Sequence, residues 1–324
     1  MRVAVTNRFY DFVPHVKDEL IAAYPETRFY DFPEGKMRLG PDELVGFLAE
    51  TKAQAAIVGL DAINEEMFAK LPDLEVVSCC SAGLDHIDAR LFKKLGKRVG
   101  WVPGVNKYSV SELAISLMIN LLRKVSTLSL QMRDGVWSRD FAEKMGGQLR
   151  GRTVGIHGCG NVGKEVVKLL KAFGAEVLTN DILDFDDFYA EWGAEKVSPE
   201  DLWARSDVLT LHLARNQSTI GLYGAEVLDK LKPGMILINT SRGRIVDEAA
   251  LRDRLSDGRI TGAAFDVFAD EPTKYLEIMD LPNFIGTPHI GGSAREAWEA
   301  MARAGISGVG ENSIPEPGVP PFED

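Results

Sequence analysis

The chain has 324 residues, 45% of them apolar, with 3 cysteines and a net charge of −11 from 37 Lys+Arg against 48 Asp+Glu. That length predicts two domains with ample cores, and the acidic balance disfavours a polyanion such as nucleic acid as a partner. Three cysteines make no disulfide framework, no CxxC or Cys/His spacing suggests a metal site, and the most apolar helical stretch, residues 113–122, is too short to span a bilayer.

The sequence opens on a strand-like VAV with no long apolar segment before it, so a cytoplasmic location is expected. Residues 2–6 read as a first strand, followed by NRFYDFVP, an aromatic-rich loop, and a helix over 16–24. Apolar strands follow at 55–58 and 76–80, separated by helical stretches 42–51 and 64–70, with a further helix–strand pair at 88–95 and 98–102. Alternating strands and helices imply a parallel sheet, and the first hundred residues form a small α/β domain. Residues 109–133 carry apolar side chains on nearly every face of one long helix, which must be covered on several sides, as in a link packed between two domains, a subunit contact or an ordinary core helix.

The stretch 152–181, RTVGIHGCGNVGKEVVKLLKAFGAEVLTND, is a strand at 154–156, a glycine turn with Gly158, Gly160 and Gly163, and a helix over 161–173 closed by Gly174. Gly158 permits the tight turn, Gly160 lets backbone approach a pyrophosphate, and Gly163 lets the helix lie against the strand. A second strand, 176–179, leads to Asp181, whose carboxylate suits the ribose hydroxyls of NAD and repels the extra phosphate of NADP. Helix 198–206, strand 208–211, helix 225–231, strand 235–239, helix 248–255, strand 262–265 and strand 284–286 then supply the six or seven strands of a doubly wound nucleotide-binding domain. Residues 293–305 read as a helix, and the tail with Pro315, Pro317, Pro320 and Pro321 as extended chain.

Ligands of open α/β sheets bind at the carboxyl ends of strands, and polar signals fall there. Strand 235–239 is followed by Thr240, Ser241 and Arg242, strand 262–265 by Asp266 and then Glu271, and the last strand by Pro288, His289, Gly291 and Gly292. An arginine, two acids and a histidine are thus expected at one sheet edge. His15, His86, His157 and His212 are given no catalytic part, His157 being expected as a structural strand residue and His212 as a candidate cofactor contact at its strand's end.

These motifs, NTSRGRIVDEAAL, DVFADEP and TPHIGGS, with HGCGNVG, SAGLDHID at 81–88 and VPGVNKYSVSELA at 102–114, resemble the D-isomer-specific 2-hydroxyacid dehydrogenases over nearly the whole chain. The resemblance implies two Rossmann-like domains with a cleft between them: residues 1–103 plus 293–324 for substrate and 104–292 for NAD. It implies an NAD-dependent oxidoreductase moving hydride between nicotinamide and a 2-oxo or D-2-hydroxy acid, and a homodimer joined through residues 103–150. Arg242 matches the arginine that holds the substrate's carboxylate and carbonyl oxygen, His289 the general acid, and Glu271 the carboxylate that pairs with His289 and raises its pKa.

By the same resemblance, the backbone of Ala82 and Gly83 completes the carboxylate site, and Asn161 and Val162 contact pyrophosphate. Leu213 and Thr240 line the cofactor cleft, while Ser109, Asp266, Gly291 and Gly292 lie near the nicotinamide. Cys159 and Asn161 depart from the family pattern in the glycine turn, and residues 213–219 lack the usual proline. The substrate's side-chain pocket is expected from residues 7–12 and 82–86 and from Trp137 of a second subunit, with Phe9, Tyr10 and Phe12 either as an apolar wall or as core. Formate dehydrogenase is disfavoured by Glu271, phosphite dehydrogenase by the lack of a lysine near Ala82, and phosphoglycerate dehydrogenase remains open. The rival from another class is an NAD(H)-sensing interaction protein of corepressor type on the same fold.

Overall fold

The computed structural model describes residues 1–36, 38–137 and 139–314, so the tail with Pro315, Pro317, Pro320 and Pro321 lies outside the described residues. The chain forms two compact units, one of Met1–Asn106 with the C-terminal segment from Ser293, the other of Lys107–Gly292. The first unit holds a five-stranded parallel sheet of β1 (Val3–Val5), β2 (Thr27–Phe29), β3 (Ala55–Val58), β4 (Val76–Cys79) and β5 (Arg98–Gly100), in the order β2-β1-β3-β4-β5. Alternate strand residues face opposite ways. Ala4, Ala56, Val58, Val77 and Val99 pack with Leu44, Leu48, Phe68 and Phe92 on one side, while Val3, Val5, Ala55, Ile57 and Val76 pack with Val16, Leu20 and Ala302 on the other.

Two features of this unit differ from expectation. Residues 9–12 are a short helix, not a loop, because the Tyr10 hydroxyl donates to the Ala302 carbonyl at 2.7 Å and draws the ring into the core. Tyr10 is therefore packing, whereas Phe9 stacks on Trp298 and Phe12 is exposed. Strand β2 has no counterpart in the sequence reading, being three residues long, at the sheet edge and only partly buried.

The second unit holds seven parallel strands: β6 (Thr153–His157), β7 (Glu176–Asn180), β8 (Glu195–Lys196), β9 (Val208–Leu211), β10 (Met235–Asn239), β11 (Ile260–Phe265) and β12 (Phe284–Gly286). Their order is β12-β11-β10-β9-β6-β7-β8, the doubly wound arrangement with its reversal at β6, between β9 and β7. All five residues of β10 and all four of β9 are buried, which explains their continuous apolar runs. Helix Asn161–Phe173 buries Val166, Val167 and Leu170 against β6 and ends at Gly174 in the left-handed region. Each such aliphatic side chain contributes about 1.5–3 kcal/mol.

The single helix expected over 109–133 is instead two, Lys107–Arg123 and Val125–Arg133, bent by 63°. Lys124 takes a left-handed φ of 54°, and the Asn120 side chain holds the break by accepting from the Ser126 N–H at 2.8 Å and donating to the Ser126 hydroxyl at 2.6 Å. The first helix buries seven residues and the second none. No single helix among the described residues is long and apolar enough to cross a membrane.

Candidate active site

The glycine turn follows β6 directly. Gly158 has φ 94°, and a Cβ there would stand 2.6 Å from the His212 carbonyl oxygen; a Cβ on Gly163 would stand 2.2 Å from the Gly158 carbonyl oxygen. Both positions therefore exclude any side chain, one by conformation and contact, the other because helix and turn touch. At Gly160 the space a Cβ would fill is open. Gly160 is the N-cap of helix Asn161–Phe173 and no side chain caps it, so the amides of Asn161 and Val162 begin a helix whose positive end faces outward. This is the geometry an anion needs.

Asp181, just past β7, is bound to that turn: one carboxylate oxygen accepts from the Cys159 N–H at 2.5 Å and the other from the Leu183 N–H at 2.8 Å. Cys159 itself is buried in the core of the unit, and burial pushes its thiol up to about 12, so it serves as a small apolar packing group. The departure at Cys159 thus falls on a packing position, and its N–H still bonds to Asp181.

At the other end of the sheet edge, the Thr240 hydroxyl is buried without a hydrogen-bond partner among the described residues. A buried hydroxyl left unpaired is costly, and a bound polar group would satisfy it. Ser109 donates to the Gly291 carbonyl at 2.5 Å, and Leu213 packs against the core cluster beneath the β9 end. Asp266 is buried, and its carboxylate accepts from the Thr287 hydroxyl at 2.6 Å and from the N–H groups of Ile290 and Gly291, each at 2.7 Å. It therefore ties down the loop 287–291 on both sides of His289, a role the sequence did not reveal. Gly292 closes the same turn.

His289 has a left-handed φ of 53°, a conformation costing a residue other than glycine about 1–3 kcal/mol and found where surrounding contacts impose it. Its N–H donates to the carbonyls of Asp266 and Thr287, both at 2.9 Å. Its Nδ1 lies 2.7 Å from a Glu271 oxygen, while the other Glu271 oxygen accepts from the Phe268 N–H at 3.1 Å. The hydrogen bond with Glu271 raises the His289 pKa above its ordinary 6.5; partial loss of solvent opposes the rise, the Glu271 and Asp266 charges support it, and the Arg242 guanidinium opposes it. Arg242 and His289 thus feel one another's charge.

Arg242 follows β10 in a turn shaped by Asn239, whose amide donates to the Arg242 carbonyl at 3.0 Å and accepts from the Ser241 N–H at 3.1 Å. The guanidinium donates to the Ser241 carbonyl at 2.8 Å. The next residue, Gly243, follows Arg242 in the sequence motif with no role legible there: a Cβ at this position would stand 1.8 Å from the Phe268 carbonyl oxygen. Its lack of a side chain lets the loop that carries Arg242 close on the loop that carries Glu271. The signal was present in the NTSRG motif, but its reason is a contact with a distant segment.

The other two histidines of this unit are set apart. Burial pushes His157 down to about 4, with Nδ1 2.6 Å from the Tyr223 hydroxyl, and pushes His212 down to about 3. In the first unit, the Ala82 carbonyl accepts from the Trp101 indole at 3.0 Å and the Gly83 carbonyl from the Ser81 hydroxyl at 2.8 Å, fixing that loop after β4. No group of three or more metal-ligating side chains occurs among the described residues.

Residues 115–291 match the family model of the D-isomer specific 2-hydroxyacid dehydrogenase, NAD binding domain. A D-3-phosphoglycerate dehydrogenase of Mycobacterium tuberculosis is 35% identical over 259 residues, 80% of this chain and 49% of that protein. The chain thus spans about half the length of the phosphoglycerate dehydrogenases it matches. The YoaD protein of Bacillus subtilis, described as a 2-hydroxyacid dehydrogenase, is 32% identical over 286 residues, 86% of this chain and 82% of that one. Among solved structures, a D-lactate dehydrogenase from Aquifex aeolicus complexed with NAD and lactic acid shares the two-sheet α/β fold with a TM-score of 0.81 at 28% identity, covering 94% of this chain and 93% of that one.

Proposed function

Because the chain belongs to the D-isomer specific 2-hydroxyacid dehydrogenase family, we propose that it is an NAD-dependent oxidoreductase converting a small 2-oxo acid to its D-2-hydroxy acid or running the reverse. The observation that carries this reading is the 2.7 Å contact between His289 Nδ1 and Glu271 beside the Arg242 turn. With Nδ1 engaged by the carboxylate, Nε2 is the nitrogen left to hand a proton to a carbonyl oxygen or to take one from a hydroxyl. Arg242 offers a planar pair of donors that suits the substrate's carboxylate and carbonyl oxygens. The cofactor, when bound, supplies or accepts the hydride at the carbonyl carbon.

The turn Gly158–Gly163 with Asn161 and Val162 would hold the pyrophosphate, and Ser109, Leu213, Thr240, Asp266, Gly291 and Gly292 would line the nicotinamide end. The open side of Gly160 and the unpaired Thr240 hydroxyl support that fit. Asp181, held in place by two backbone amides, favours NADH over NADPH, because a fixed carboxylate takes ribose hydroxyls and repels a phosphate. The unit of Met1–Asn106 with the C-terminal segment would carry the substrate loop at Ala82 and Gly83, and the other unit NAD. No observation favours the corepressor-type sensor.

NADH oxidation measured with glyoxylate, hydroxypyruvate, pyruvate and phenylpyruvate tests the reading. Turnover of at least one, faster with NADH than with NADPH, is expected; cofactor binding without turnover on the whole panel would sink it.

A homodimer is supported by the segment around helix Val125–Arg133, which leaves Met132, Trp137, Phe141 and Met145 exposed, Phe141 by 84%. Apolar surface of this kind marks an interaction face. Sedimentation is expected to give twice the chain mass, and a monomer at micromolar concentration would contradict the assignment. A cytoplasmic location agrees with three free, buried thiols, and cell fractionation checks it.

A further inference from the structure

Glu248 lies outside the candidate site residues, yet it touches the loop that carries Glu271. Its side chain, at the start of helix Glu248–Ser256, accepts from the Ala269 N–H at 2.6 Å. The carbonyl of the same residue accepts from Arg244 Nε at 3.0 Å, and another Arg244 nitrogen lies 3.4 Å from the Asp270 carboxylate. Ala269 is thus gripped at both its N–H and its C=O, each time by a side chain from the segment that follows Arg242. Beside it, Gly243 meets the Phe268 carbonyl, and the Phe268 N–H donates to Glu271.

From this geometry we infer that Glu248 is a positioning residue: with Arg244 it clamps residues 268–271 so that Glu271 stays within hydrogen-bond reach of His289. The inference rests on the proposed role of that pair. Glu271 spans a short turn, one oxygen on Phe268 and the other on His289, so a shift of the Ala269 peptide moves the carboxylate at both contacts. A charge-assisted hydrogen bond weakens steeply as it lengthens or bends. The other charges acting on His289, Asp266 and Arg242, lie on separate loops and stay in place.

A plainer role would be that Glu248 only supports its helix, as acids in a first turn do. The two roles separate on the titration of His289, followed by NMR in the cofactor-free protein and assigned by the signal lost in His289→Gln. In the wild type the midpoint is expected above the ordinary histidine value. In Glu248→Ala it is expected to fall towards that value, with kcat/KM for 2-oxo acid reduction lowered about tenfold, less than the 10²–10⁴ attached to a general acid itself. NADH affinity should be unchanged, and Glu248→Gln, whose amide oxygen still accepts from Ala269, should restore the midpoint.

If Glu248→Ala does not fold, Arg244→Ala, which frees the carbonyl side of the same peptide, is expected to give the same fall. A variant that folds, melts at a lower temperature and titrates His289 as the wild type does would overturn the inference. A wild-type midpoint at or below the ordinary value would instead overturn the proton-donor reading, and the inference with it.

Discussion

Replacing His289 with alanine is expected to lower turnover on the best 2-oxo acid by about 10²–10⁴-fold, the range for removal of a positioned general acid. NADH binding is expected to survive. The contacts assigned to pyrophosphate and ribose sit at the Gly158 turn and Asp181, which are fixed by their own hydrogen bonds and by close backbone approach, independently of the His289 side chain. The loop 287–291 keeps its bonds to Asp266, since these involve backbone amides and Thr287. No other histidine of this unit is suited to substitute: loss of solvent pushes the pKa of buried His157 and half-buried His212 well below its ordinary value, so neither is an imidazolium at neutral pH. Stopped-flow reduction of the substrate panel, with NADH affinity measured on the same sample, separates lost chemistry from lost binding. A folded variant that binds NADH and turns over near the wild-type rate on every 2-oxo acid that the wild type reduces would refute the role given to this residue.

Much of the unit Lys107–Gly292 was legible in the sequence because its central strands are buried on both faces. The apolar runs at β9 and β10 left no alternative reading, and the glycine spacing fixed strand, turn and helix at β6. Elements whose side chains stay wet were missed. Strand β2 carries Arg28 at a sheet edge, and β8 is only Glu195–Lys196, both exposed; neither shows an apolar alternation to detect. The helix at Phe9–Phe12 is decided by a hydroxyl–carbonyl bond between residues 292 positions apart, and the break at Lys124 by the side chain of Asn120, information that no local window contains.

The candidate site divides in the same way. Arg242, Glu271 and His289 could be named from their motifs, and the contact between the last two is present as a hydrogen bond. What the motifs did not disclose is how the geometry is held. The left-handed backbone of His289, the three donors gathered by Asp266 and the close approach of Gly243 to Phe268 each join segments distant along the chain. The family resemblance implies a place for Asp266 near the nicotinamide; what the structure shows is its carboxylate anchoring the histidine loop. The conformational cost at His289, about 1–3 kcal/mol, is offset by these bonds.

If a histidine raised by its glutamate moves the proton, the rates of the wild-type protein must follow its titration. A donor must enter the reduction protonated. Because the hydrogen bond with Glu271 lifts His289 above its ordinary 6.5, kcat/KM for 2-oxo acid reduction is expected to be full below that raised pKa and to fall about tenfold per pH unit beyond it. The reverse oxidation needs the neutral imidazole, so its rate should rise through the same window and level off above it. Initial rates in both directions, at saturating cofactor, give the two midpoints. The two midpoints are expected to mirror one another above 6.5; profiles that stay flat through that window, or a reduction limb that fails below it, would contradict the assignment of the proton to His289.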